Sequence, residues 1–199
     1  MGHHARPTDA WYELADGVDR MSDTTSRNLE TARLRMQPIE AGDIDALARL
    51  HGDAEIMAGM RFGAESRDQV AAVLGGYLAT WRDRGYGIWV LVDKASCGFA
   101  GECGFWLRDD GEGVAMRVVL VKSFWGQGLA VEAASAALDY GFGVAGLERV
   151  VGAAQATNAR SRAAVAKIGF RFERSWRKEN GVEVMFYAMT RDEWLARGH

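Results

Sequence analysis

Cysteine and proline are scarce in this chain, long apolar runs are missing, and there is no surplus of positive charge. Cys97 and Cys103 are the only cysteines among 199 residues, too few for a disulfide framework and without the second pair that a zinc site needs. On one strand their even offset would turn them to the same face, yet six positions apart is too far to bridge. No metal is expected, and a reducing cytoplasm is the expected location. No uninterrupted apolar run approaches bilayer-spanning length. The first 28 residues also lack the apolar h-region of a signal peptide. Neither membrane contact nor export is expected. The formal net charge is −3, which gives no general attraction to nucleic acid, although it is compatible with a local basic patch. Two common phosphate fingerprints are absent as well: there is no G-x-x-x-x-G-K-[ST] loop and no G-x-G-x-x-G turn. No internal repeat or low-complexity tract occurs.

What is present is the balance of an ordinary soluble domain, 48% apolar and 26% charged, at a length that suits one core. Residues 1–28 carry little periodicity and read as a flexible extension, with Trp11 and Tyr12 isolated and His3-His4 a chance pair. The folded domain is expected over residues 29–199. A first strand is expected over residues 29–39, closed by Pro38. Asp43 is expected to cap a helix carrying Ile44, Leu47 and Leu50, and a short helical piece follows over residues 53–60. Ser66 marks the cap of a longer helix ending at Gly85, with Gly75-Gly76 inside it as a place to bend beside a cleft. Strands over residues 87–92, 97–107 and 114–121 form an antiparallel meander. A helix over residues 131–142 then crosses to a strand over residues 148–154, parallel to the 114–121 strand. Asn158 opens a short helix that Gly169 ends. Strands over residues 170–177 and 182–189 pair across Asn180-Gly181, and a terminal helix covers residues 191–197.

Phe124-Trp125-Gly126-Gln127-Gly128-Leu129-Ala130 stands between the 114–121 strand and the following helix. Glycines here let the backbone turn with positive φ and come close to a ligand. The first helical turn offers unsatisfied N–H groups, with the helix dipole behind them. Together they form a site suited to a phosphate or pyrophosphate. Read alone, the same pattern also fits a tight connection.

That turn, together with Val131-Glu132-Ala133, Asn158-Ala159-Arg160-Ser161 and Lys167-Ile168-Gly169-Phe170, resembles the GNAT superfamily of acyl-CoA-dependent N-acetyltransferases. The detail is most similar to the Rim-type branch, the ribosomal-protein N-terminal acetyltransferases and their relatives. Leu29-Glu30-Thr31-Ala32-Arg33-Leu34, Gly101-Glu102-Cys103-Gly104-Phe105 and Tyr187-Ala188-Met189 support it, in the family's order from about residue 29 to 195. The resemblance implies an α/β (α+β) fold: a mixed, mostly antiparallel sheet of six to seven strands, splayed between strands four and five, with helices on both faces. It implies acetyl-CoA as co-substrate, with the pyrophosphate on Trp125, Gly126, Gln127, Gly128, Leu129 and Ala130. Pantetheine would pair with the open backbone of Val119, Leu120 and Val121. Asn158 would bond the pantetheine arm and Ser161 would lie near the thioester, where it has the role of proton donor. Asn158 fits a helix N-cap equally well, and Ser161 a polar residue of the capping turn.

The implied reaction is acetyl transfer to a primary amine, either a protein N-terminal α-amine or a small molecule, by direct attack in a ternary complex. No metal, nucleic acid or membrane takes part, and the protein is expected as a monomer or homodimer. One departure matters. Many Rim-type relatives carry a Glu at the start of strand four, in an E-[LIV]-G-Y pattern. Here the segment is Ala115-Met116-Arg117-Val118, with Arg117 where a glycine is usual and Lys122 where a proline is usual. Glu102 and Glu183 are the nearest substitute bases by topology, each with a solvated strand residue as its alternative reading. The missing carboxylate also leaves open a CoA-binding protein without catalysis. The acceptor cleft is expected between the 53–85 helices and the Asn180 hairpin, where Phe62, Tyr77, Trp81, Trp106 and Trp176 are either walls or core.

Overall fold

Two short strands, Leu29–Glu30 (β1) and Leu34–Pro38 (β2), replace the single opening strand in the computed structural model, which describes residues 27–60, 62–108 and 111–198. Residues 1–26, which include His3, His4, Trp11 and Tyr12, lie outside the described residues. The break at 31–33 has a local cause. Thr31 Oγ1 accepts the N–H of Leu34 at 2.9 Å, and Thr31 N–H donates to the Leu34 carbonyl at 2.9 Å. The chain therefore turns back on itself there. This split raises the strand count to eight.

Ile44–His51 (α1), Ala54–Met57 (α2) and Arg67–Arg84 (α3) follow, then Ile88–Asp93 (β3), Phe99–Leu107 (β4) and Val114–Leu120 (β5). The second half is Leu129–Gly143 (α4), Arg149–Gln155 (β6), Ala159–Ile168 (α5), Arg171–Arg177 (β7), Glu183–Thr190 (β8) and Arg191–Leu195 (α6). The strands form one sheet in the order β1-β2-β3-β4-β5-β6-β8-β7. Every neighbouring pair is antiparallel except β5 and β6, which run parallel. That parallel pairing joins only Val114 to Val150 and Ala115 to Val151. From Met116 onward β5 leaves β6, and the sheet splays as the family pattern implies.

Alternation along β4 separates the two faces. Glu102 points to His51 of α1, whereas Phe105 lies against Gly141 of α4. Helices thus cover both faces of the sheet. Among the described residues no helix is long and apolar enough to cross a membrane.

Several caps are where the sequence puts them. Ser66 and Gln69 form a reciprocal capping box on α3, Gly85 closes it at φ 71°, and Gly169 closes α5 at φ 101°. Three local expectations are corrected. The Asp43 carboxylate accepts the N–H of Glu40 at 2.7 Å, closing a 3-10 turn ahead of α1 instead of capping that helix. Helix α3 runs unbroken through Gly75-Gly76, whose exposed positions have open space around them, so they line no cleft. In the last hairpin Lys178 N–H donates to Val182 O and Gly181 N–H to Lys178 O, each at 2.9 Å. This is a three-residue loop with Gly181 at φ 80°, not a two-residue Asn-Gly turn. Cys103 is buried in β4, and burial pushes its thiol up, while Cys97 is exposed in the turn before the strand.

Candidate active site

The Gly126-Gln127-Gly128 turn is built to hold N–H groups outward and is fastened from behind. Gly126 and Gly128 have φ of 76° and 80°, the left-handed region that side-chain-bearing residues avoid. Gly128 is the N-cap of α4, and its carbonyl accepts from Val131 and Glu132 N–H, each at 3.1 Å. Leu129 is buried, so it faces a ligand only through its backbone.

The fastening comes from the opening hairpin, about a hundred positions away in sequence. Glu132, in the first turn of α4, accepts from Thr31 Oγ1 at 2.6 Å, from Arg33 N at 2.8 Å and from Arg33 Nε at 2.7 Å. The same guanidinium donates to the Gln127 carbonyl at 2.9 Å. Burial would raise the Glu132 carboxyl, but the Thr31 and Arg33 contacts outweigh it and hold it below its usual range. The Arg33 guanidinium thus offsets the Glu132 charge beside the turn. The Thr31-Ala32-Arg33 and Gly-x-Gly-x-x-x-Glu patterns therefore belong to one structural unit.

Trp125 lies at the junction. Its indole N–H donates to the Leu120 carbonyl at 2.8 Å, and the Arg160 guanidinium stacks 3.8 Å above its ring. The backbone of β5 alternates beside it. Val121 N–H donates to Ala100 O of β4 at 2.9 Å, so Val119 also turns its backbone groups to β4, while the Val121 carbonyl accepts from Phe124 N–H at 3.0 Å. Leu120, with Val118, turns its own to the splay. Asn158 caps α5, its Oδ1 accepting from Ser161 N–H at 3.0 Å. Its Nδ2 lies so near Gly59 that a Cβ there would come within 2.8 Å. Gln155 Nε2 donates to Ala58 O at 3.3 Å, so the end of α2 bridges to the far side of the splay.

On the α1–α3 face of the same strands lies a pocket of about 140 Å³. Met57, Met60 and Val73 line it with the rings of Phe62, Tyr77 and Trp106, and its charged members are Glu65 and Arg117. Helices α2 and α3 supply walls as expected, but the Asn180 hairpin supplies none. Trp81 belongs to the core, its indole N–H donating to Ile88 O at 2.8 Å. Trp176 lies on the outer strand β7, 5.9 Å from the Phe186 ring.

Behind the pocket is a buried charged cluster that no motif announced. Glu102 is fully buried, and its Oε1 accepts from Arg117 Nε and lies 2.9 Å from His51 Nε2. Arg117 Nη2 is 3.2 Å from the same His51 nitrogen. His51 Nδ1 has Glu65 Oε2 at 2.8 Å, but out of line for a hydrogen bond, and Glu102 Oε2 has no hydrogen-bond partner among the described residues. Burial pushes Glu102 up, yet the Arg117 charge and the His51 contact outweigh it and hold the carboxyl below its usual range. Burial raises the Tyr77 hydroxyl, and the Glu102 charge adds to the effect. Glu102 is thus not the solvated strand residue of the alternative reading. It is an ionised partner of Arg117. Glu183 is exposed on β8 and accepts from Ser175 Oγ at 3.0 Å. Both departures from the family pattern have partners: Arg117 meets Glu102, and Lys122 meets Asp53 at 3.1 Å and Glu55 at 2.7 Å, tying α2 to the end of β5.

Comparison with known proteins agrees with this geometry. The model of the acetyltransferase (GNAT) domain family matches residues 33–171. The FsC-acetyl coenzyme A-N(2)-transacetylase of Aspergillus fumigatus is 30% identical over 191 residues, covering 84% of this chain and 77% of that protein. Among solved structures, an acetyltransferase of Agrobacterium tumefaciens superposes with a TM-score of 0.72 at 22% identity, over 81% of this chain and 93% of that one. RimL, a ribosomal L7/L12 α-N-protein acetyltransferase solved with coenzyme A, superposes with a TM-score of 0.70 at 17% identity, over 83% of this chain and 99% of that one. With a family match across residues 33–171 and a sheet splayed between β5 and β6, the chain belongs to the GNAT acetyltransferase domain family.

Proposed function

We propose that the domain transfers an acetyl group from acetyl-CoA to a primary amine by direct attack in a ternary complex. The observation that carries this reading is that one strand, β5, links both halves of the reaction. Its open edge leads to the Gly126-Gln127-Gly128 turn, and its other neighbours form the apolar pocket. Pantetheine would add to that edge as a strand, the mode by which extended ligands use unpaired sheet backbone. Val118 and the Leu120 N–H would face it, the Leu120 carbonyl being held by the Trp125 indole. The pyrophosphate would rest on the N–H groups at the start of α4. Names of relatives point the same way: the Aspergillus protein is called an N(2)-transacetylase using acetyl coenzyme A, and RimL acts on an α-amine with coenzyme A bound.

The chemistry asks little of side chains. A neutral amine attacks the thioester carbonyl, backbone N–H groups of the splayed strand hold the oxyanion, water carries off the proton from the attacking nitrogen, and the thiolate leaves. Positioning two substrates side by side supplies much of the acceleration. Ser161, in the first turn of α5, would protonate the departing sulfur. Thioester cleavage in the presence of a panel of amines tests the reading. Acetyl-CoA binding without turnover on any of them would instead identify a non-catalytic CoA-binding protein.

Asn158 gives a second test. Asn158→Ala removes the α5 cap and is expected to cost about 0.5–2 kcal/mol of stability. It should also weaken acetyl-CoA binding by about 1–3 kcal/mol, because a pantetheine amide would lose its partner. A lower melting temperature with unaltered affinity in calorimetry would reduce Asn158 to a cap.

The pH profile gives a third. With Glu102 held ionised by Arg117, β4 and β5 offer no base poised near neutrality. The rate at subsaturating acceptor should therefore rise with pH and level off at the acceptor's own pKa. An α-amine, with pKa of about 7.7–8.0, should plateau well before a lysine-like amine at about 10.4. Two such acceptors sharing one plateau near pH 6–7 would reveal a protein base and contradict this account.

A further inference from the structure

We propose that the pocket beside Arg117 selects monocationic amines with a compact apolar or aromatic body, and that Glu65 is the carboxylate that receives the amine. The inference rests on the acetyl-transfer reading and names its acceptor class. Size comes first: the pocket holds about 140 Å³, and an apolar cavity of about 150 Å³ accommodates benzene. Its walls are methionine, valine and aromatic side chains, which favour an apolar body and offer a second or third ammonium group no further carboxylate.

Charge decides the rest. Arg117 lines the pocket, but its guanidinium is engaged by the buried Glu102, so an acceptor carboxylate gains little there. Glu65 is the acidic member of the lining. Its backbone is held by its own N–H, which donates to His51 O at 3.0 Å, and its carboxylate lies 2.8 Å from His51 Nδ1, out of line for a hydrogen bond. Its side chain is 10% exposed, so an ammonium group that reaches it does so away from bulk water. A polyamine would leave its further cations against rings and methionines. A free amino acid would bring a carboxylate toward Glu65.

The test is kcat/KM at saturating acetyl-CoA, expressed per concentration of neutral amine, for two pairs of acceptors. Phenethylamine should exceed spermidine, and phenylalaninamide should exceed phenylalanine, each by tenfold or more. Glu65→Gln should raise KM for phenethylamine at least tenfold while calorimetry shows unchanged acetyl-CoA affinity. Phe62→Ser, at an exposed rim position, should shrink the preference for phenethylamine over spermidine and decides the matter if Glu65→Gln does not fold. Preference for spermidine or phenylalanine, or an unchanged KM in folded Glu65→Gln, overturns the inference while leaving acetyl transfer standing. Acetyl-CoA that binds without reacting with any of the four amines, or that does not bind, overturns both.

Discussion

Gly128→Val is expected to abolish measurable acetyl-CoA binding in a protein that still folds. Space is not the reason, because a Cβ at Gly128 would meet only Arg33 Nη2, at an ordinary 3.7 Å. The reason is backbone conformation. Gly128 has φ of 80° and ψ of 0°, and a β-branched residue there is a genuine outlier, costing about 1–3 kcal/mol. The cheapest relief is to rotate the 127–128 peptide and the first N–H groups of α4, the groups that would hold the pyrophosphate. The remainder of the fold has little stake in that rotation, since Glu132 is still anchored by Thr31 and Arg33. Calorimetry with acetyl-CoA, alongside a melting curve, checks this. An unchanged affinity in folded Gly128→Val would remove the phosphate role from this turn.

The turn was legible in the sequence because its requirements are local. Glycine at fixed offsets before a helix has few physical readings, and the caps at Ser66, Asn158 and Gly169 are short-range in the same way. What escaped depends on contacts between distant positions. The clamp of Thr31 and Arg33 on Glu132 joins two patterns that have no sequence reason to meet. Glu102 and Arg117 were closer to legible. Closing the β4–β5 hairpin at Leu107 and Val114 fixes the register, and that register places Glu102 opposite Val119, two pairs along from Arg117 and so on the same face. Opposite charges on adjacent strands, each within an apolar run, are a signal of a buried pair, whereas a single strand read alone suggests solvent. His51 and Glu65 carried no such signal, because only the packing of α1 against β4 brings them there.

Arg117→Ala and Glu102→Ala are each expected to destabilise the fold by about 3–5 kcal/mol, since either leaves an uncompensated charge in the core. For a domain of this length that corresponds to a fall in melting temperature of about 6–20 °C. The double replacement Glu102→Leu with Arg117→Met should recover most of that loss, because well-packed apolar residues serve as well as a buried pair or better. The non-additivity of that cycle is the measurement. Acid should act in the same direction as the single substitutions. Glu102 has a depressed pKa in the folded protein, so its contribution is present above its unfolded value of about 4.3 and is lost as pH falls through the folded value. Wild type should accordingly lose stability more steeply than the double variant between about pH 5 and pH 2. Single substitutions that cost less than about 1 kcal/mol, or equal acid sensitivity in the two proteins, would show that the cluster is hydrated in solution and that Arg117 remains free to bind an acceptor carboxylate.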